Sequence, residues 1–152
     1  MKKFKYSMES LLQIKLKLED QAKNAYARAR QRLLREEEKL KLLKDRRDAY
    51  EEELKALSMD RLDIVKIKKA KESIRIMEDK ILNQMAAVRS AEQRLEVARI
   101  RLNNAMIERE TQERLKEKAW ESYLLEYDAE ERKAAEELTG YNYSSNTGKE
   151  DR

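Results

Sequence analysis

An all-α fold, a long antiparallel two-helix coiled-coil hairpin, is what this sequence predicts. Three observations carry that expectation. Pro is absent, and both Gly residues, Gly140 and Gly148, fall in the last 13 positions, so residues 1–139 lack the two residues that interrupt helices. Charged side chains make up 43% of the chain, too many to bury in a globular core, which leaves a narrow apolar seam between helices as the buried part. No segment alternates apolar and polar residues with period two, so no sheet is expected.

The first helix is predicted over residues 7–57. Ser7 is placed to cap it, with Glu9 in the first turn, and Tyr6 and Leu11 stand at the two positions of a hydrophobic staple. From Leu33 the inner face reads Leu33, Glu36, Leu40, Leu43, Arg47, Tyr50, Leu54, Leu57, a heptad seam with two polar breaks. Upstream the apolar residues fall at Leu11, Ile14, Leu18, Ala22, Ala25, Ala29 and Leu33. That spacing fits eleven-residue units and a locally straighter winding.

A second seam runs Ile67, Ala70, Ile74, Met77, Ile81, Gln84, Val88, Ala91, Leu95, Ala98, Leu102, Ala105. It fades at Arg109, Gln112 and Lys116 and resumes at Ala119 and Tyr123. The two seams are out of phase by one residue, a slip that a continuous coiled coil absorbs poorly. A turn over about 58–65 follows, with "SMDRLD" supplying the cap of a second helix over about 64–138. The rival is one continuous helix in a parallel homodimer, a structural scaffold. Residues 1–138 are thus read as one coiled-coil domain and 139–152, "TGYNYSSNTGKEDR", as a disordered tail.

Composition narrows the chemistry. His and Cys are absent, which removes the usual zinc ligands and the commonest general base. No Gly-rich phosphate loop is present. No catalytic residue, cofactor or metal is expected, and the chain reads as a non-enzyme. No apolar run reaches membrane-spanning or signal-peptide length, so a cytoplasmic protein without direct membrane insertion is expected. Net charge is +4. Residues 1–57 carry 16 basic and 11 acidic groups, 62–118 carry 14 and 10, and 121–138 carry 2 and 7. The body is mildly basic and the late segment acidic. Because the basic residues are laced with acids, nucleic acid is not an expected partner. The dense run "KIKKAK", Lys66 to Lys71, is read as a solvated face rather than a nucleic-acid or acidic-lipid site.

If paired positions of the two helices sum to about 123, Phe4 faces Ala119 and Trp120, and the second helix overhangs beyond that point. Trp120, the only Trp, starts the stripe Trp120, Tyr123, Leu124, Tyr127 at helical spacing. Its first half can close the seam on Phe4 and Tyr6, and its second half is left for a partner.

Three segments carry a family resemblance: "FKYSMESLLQIKLKLEDQAKNAYARA", "LKLLKDRRDAYEEEL" and "ERLKEKAWESYLLEYDAEERKAAEEL". Together they resemble the flagellar export protein FliJ family of the bacterial type III export apparatus. The resemblance implies a coiled-coil hairpin similar to the central stalk of rotary ATPases. Its partners would be the flagellar export ATPase hexamer, an export-gate membrane protein and export chaperones, at the inner membrane of the flagellar base. By that analogy Phe4, Leu11, Leu12, Trp120 and Tyr123 would meet the ATPase ring, while Leu124 and Tyr127, which lack an intrachain partner, form the surface left for a partner. Leu43, Arg46, Tyr50 and Met77 would meet the gate.

Overall fold

The computed structural model describes residues 2–59 and 61–150. It contains two helices, α1 (Glu9–Met59) and α2 (Ile64–Glu150), packed against each other as an all-α helical hairpin. The single-helix rod is thereby excluded, because the helix is broken between Met59 and Ile64. Asp60, within the expected turn, lies outside the described residues, as do Asp151 and Arg152 of the expected tail.

Helix ends follow local chemistry. At the start of α2 the Asp63 carboxylate accepts from the backbone N–H of Val65 (3.1 Å) and Lys66 (3.3 Å), and its carbonyl accepts from Ile67 N–H (3.0 Å). Asp63 is therefore the cap that "SMDRLD" promised, satisfying donors no helical carbonyl can reach. At the start of α1, Leu12 N–H donates to Met8 C=O (3.1 Å) and Glu9 N–H to Tyr6 C=O (3.1 Å). Met8 rather than Ser7 thus holds the cap position, one residue later than the sequence suggests. At the other end, α2 continues past Leu138 through both glycines to Glu150, where the sequence places a disordered tail. A helical Gly costs only about 1 kcal/mol relative to Ala, and no Pro is present to stop the helix. The hydroxyls of Thr139 and Thr147 donate back to Ala135 C=O (2.9 Å) and Tyr143 C=O (3.0 Å).

The chain divides into two compact units, Met1–Glu19 with Ala105–Arg152 and Asp20–Asn104. In the second unit the apolar seam packs as its spacing predicts. Ala70, Met77, Ile81, Val88 and Ala91 are buried, and Leu33, Leu40, Leu43, Tyr50, Leu54, Leu57, Ile74, Leu95 and Ala98 are half-buried. The polar break at Glu36 is answered across the hairpin: Gln84 Nε2 donates to Glu36 C=O (2.9 Å) and to its carboxylate (2.5 Å). The short link from Met59 to Ile64 between two helices packed side by side makes the pair antiparallel.

The first unit corrects the expected register of α1. Ile14 and Leu18 are exposed, at 52% and 42%, while Leu12 (4%) and Glu19 (5%) are buried and Lys15 is half-buried. The inner face reads Leu12, Lys15, Glu19, spaced three and four residues apart, so heptad spacing replaces the eleven-residue units. Reading apolar residues alone pointed to Ile14 and Leu18, because charged side chains hold the seam positions here.

Candidate partner-binding surfaces

In the first unit, α2 keeps its seam phase through the polar positions. Arg109, Gln112 and Lys116 are all half-buried. The seam does not fade here but changes chemistry. Arg109 Nε donates to the Glu19 carboxylate and its Nη1 to Glu113 (2.6 Å). Tyr6 donates its hydroxyl proton to Gln112 Oε1 (3.2 Å), Lys15 Nζ donates to Glu108 (2.9 Å), and Lys116 Nζ lies 2.8 Å from Glu9. The Lys116 bond, supported by Gln13, holds the Glu9 carboxyl below the usual carboxylate range. The Glu19 bond raises the Arg109 pKa further above its already high value, so the cation is permanent. Sequence reasoning missed this layer. Its signal was the unbroken heptad phase of Arg109, Gln112 and Lys116 between apolar Ala105 and Ala119.

Beyond the polar layer the N-terminal segment returns to α2 through aromatic contacts. Phe4 meets Trp120 edge-on, with ring centroids 5.1 Å apart at 75°, and Tyr123 at 5.4 Å. Trp120 stacks on Tyr123 (5.5 Å, 23°), and Tyr123 leans on Tyr127 (6.2 Å). Tyr123 also donates its hydroxyl proton to Lys2 C=O (3.0 Å), pinning the chain ahead of α1. Such ring pairs add about 0.5–1.5 kcal/mol beyond area burial. The array is nonetheless open to solvent: Trp120 is 43% exposed and Tyr127 37%, and residues 124–148 are exposed throughout. A hydrogen bond to Glu131 raises the Tyr127 pKa.

The five residues expected at the ring-facing end, and the neighbouring partner-surface residues Leu124 and Tyr127, divide by burial. Phe4, Trp120 and Tyr123 are brought together, Tyr127 extends their stripe, and Leu124 is exposed one turn from Trp120. Leu11 is half-buried, and Leu12 belongs to the core. In the second unit, Arg46 is exposed and borders a small groove with Lys39, Leu42, Leu43 and Gln84. Leu43 and Tyr50 are half-buried there, whereas Met77 lies inside the seam, closed to a partner while the helices stay paired.

What the fold and these surfaces define is a coiled-coil hairpin protein whose exposed features are side-chain stripes along helices. Among the described residues no group of acidic side chains is placed to hold a metal ion, and no helix is long and apolar enough to cross a membrane. A family model described as the flagellar FliJ protein matches residues 4–148, and the chain belongs to that family. The family is a non-enzymatic component of the flagellar export apparatus. Comparisons with curated proteins and with solved structures found no match.

Proposed function

We propose that this chain is the stalk and adaptor of the flagellar type III export ATPase complex. In this reading the open end of the hairpin enters the hexameric ATPase ring and promotes its assembly. The rest of the chain links the ring to the export gate and to export chaperones, peripherally at the inner membrane of the flagellar base. Family membership supports the apparatus, and the helical hairpin supports the stalk analogy.

The observation that carries the ring assignment is the half-exposed array of Phe4, Trp120, Tyr123 and Tyr127. Large aromatics held rigid by one another, yet open on one side, suit a hot spot of binding, since their ordering entropy is already spent in the free protein. Leu124 and Leu11 extend that surface. On the gate-facing side the reading rests on Arg46, Leu43 and the accessible edge of Tyr50. Leu12 and Met77 support these surfaces from within.

Replacement of Trp120 and Tyr123 together by Ala tests the reading. Stimulation of the export ATPase and swimming motility are expected to fall while helicity is retained. Unchanged ATPase stimulation and motility would sink the ring assignment.

A further inference from the structure

The two flanks of the seam in the second unit are chemically unlike. One flank of α1 carries Arg28, Arg32, Arg35, Lys39, Leu42 and Arg46, spaced alternately four and three residues apart, so they form one line along the helix. Lys39, Leu42 and Arg46 border a groove with the seam residue Gln84 of α2. On that side of α2, one turn either way from Gln84, stand Lys80 and Ala87. The same helical spacing continues this edge through Arg94 and Arg101, with Ile76, Asn83, Ser90 and Val97 outside them.

No acidic residue occupies any of these positions between 28 and 46 or between 76 and 101. The seam carboxylate Glu36, next to this line, accepts from Gln84 Nε2 at 2.5 Å and lies 3.8 Å from Lys39. Among the described residues Arg28, Arg32, Arg35, Arg46, Lys80, Arg94 and Arg101 form no ion pair, and all are exposed. The opposite flank is mixed: Arg30, Glu37, Lys44 and Glu51 on α1, and Glu78, Glu92, Glu96 and Arg99 on α2. There carboxylates alternate with the cations, and Arg99 pairs with Glu96 at 2.6 Å. A solvated coiled-coil surface gains nothing from segregating its charges in this way. Seven uncompensated cations beside one seam repel one another and weaken the free hairpin.

We propose that this acid-free face of the second unit is a docking groove for an acidic amphipathic helix of a partner protein. Charge complementarity supplies the sign. The form of the partner follows from what lies between the cations. Leu42, Ile76 and Val97 are exposed along the same face, at 57%, 40% and 47%, and give a helix apolar anchors, Leu42 at the groove itself. The line from Arg28 to Arg46 is about 27 Å long, enough for a partner helix of about 18 residues flanked by carboxylates. Single-stranded nucleic acid fits less well, since the aromatics of this unit, Tyr26 and Tyr50, sit half-buried at the seam and none is on this face to stack bases. A lipid surface fits less well too. It is flat, and an interfacial helix needs a wide bulky apolar face, whereas here the exposed aliphatic residues are single and set among cations.

The test uses the full chain and a designed fluorescent peptide helix, with Leu along one stripe and Glu on both sides of it. Its counterpart with Lys in place of Glu is the control. The acidic peptide is expected to bind and the basic one not. Arg32→Glu, Arg35→Glu and Arg94→Glu together should weaken binding by at least about tenfold. The same charge change on the other flank, Arg30→Glu, Lys41→Glu and Lys44→Glu, should alter it by less than about twofold. Leu42→Ala with Val97→Ala should also weaken it while circular dichroism and melting temperature hold, since both side chains are exposed.

Four outcomes overturn the proposal. The first is no binding of the acidic peptide, and the second is equal loss in the two charge-reversal variants. The third is tighter, Arg32- and Arg35-dependent binding of duplex DNA or phosphatidylglycerol vesicles. The fourth is a concentration-dependent mass in sedimentation that the Arg32, Arg35 and Arg94 reversals abolish, which would make the face an interface between copies.

Discussion

Arg109 and Glu19 meet at the buried seam of the first unit, where the guanidinium donates to the carboxylate of Glu19, a residue only 5% exposed. A charged pair at this depth costs desolvation that its own attraction repays only while both partners are present. Glu19→Leu should therefore lower the melting temperature markedly, because Arg109 then loses its cross-helix partner. Glu19→Leu combined with Arg109→Leu should recover most of the loss. Thermal unfolding followed by circular dichroism checks the order, and a double variant less stable than either single one would refute it.

The register of α1 offers a sharper comparison. Leu12 is buried and Ile14, two residues on, is half in solvent. Leu12→Ala should destabilise by about 2 kcal/mol, the low end of the range for buried leucines, because a two-helix seam can collapse around the gap. Ile14→Ala should stay within about 0.5 kcal/mol. Urea midpoints of the two variants measure the difference, and the reverse ranking would restore the eleven-residue reading.

Acid should loosen the first unit at a definite place. Lys116 and Gln13 lower the Glu9 pKa in the folded chain, so that contribution is complete above the unfolded carboxylate value of about 4.3. It is lost as the pH falls through the lower folded value. Glu9→Gln should thus melt below the parent at neutral pH, and the gap should close at acidic pH. Melts across a pH series give the readout, and a gap of constant size would exclude the Glu9–Lys116 bond as its source.

The aromatic array can be followed through the single Trp. With Phe4 edge-on at 5.1 Å, the indole of Trp120 is shielded on one side. Phe4→Ala should move its fluorescence emission to longer wavelength and raise its quenching by iodide. Tyr127→Ala, which removes a ring that touches Tyr123 and not the indole, should do so less.

In the last turns of α2 a Cβ added at Gly140 would meet no atom within 4 Å. Gly140→Ala should therefore strengthen the local helix by about 1 kcal/mol. Slower amide exchange over residues 139–148 is the expected sign, with the rest of the chain unchanged.

Much of this molecule was legible from periodicity. The α2 seam from Ile67 to Ala105, and again at Ala119 and Tyr123, is buried or half-buried at every position read from the sequence, because the mostly apolar residues there mark the inner face directly. The pairing of Phe4 with Trp120 also followed from counting outward from the turn. The α1 register before Ala22 did not, since Lys15 and Glu19 occupy inner positions and a hydrophobicity reading discounts them. Only their partners, Glu108 and Arg109, make those positions tolerable, and the partners lie about 90 residues away. The acid-free flank was spelled out in the sequence too, but it stays scattered until the phase of each helix is known.

The sequence by itself determined that this chain is helical, that it breaks near Ser58–Asp63, and which stripe of α2 turns inward. These depend on local backbone preference and on the spacing of apolar side chains, which neighbouring residues carry. Tertiary structure decided which charged residues enter the seam and which apolar ones, Ile14 and Leu18, remain outside it. A buried charge is stable only beside a matching group, and the packing of α2 against α1 alone brings that group within reach.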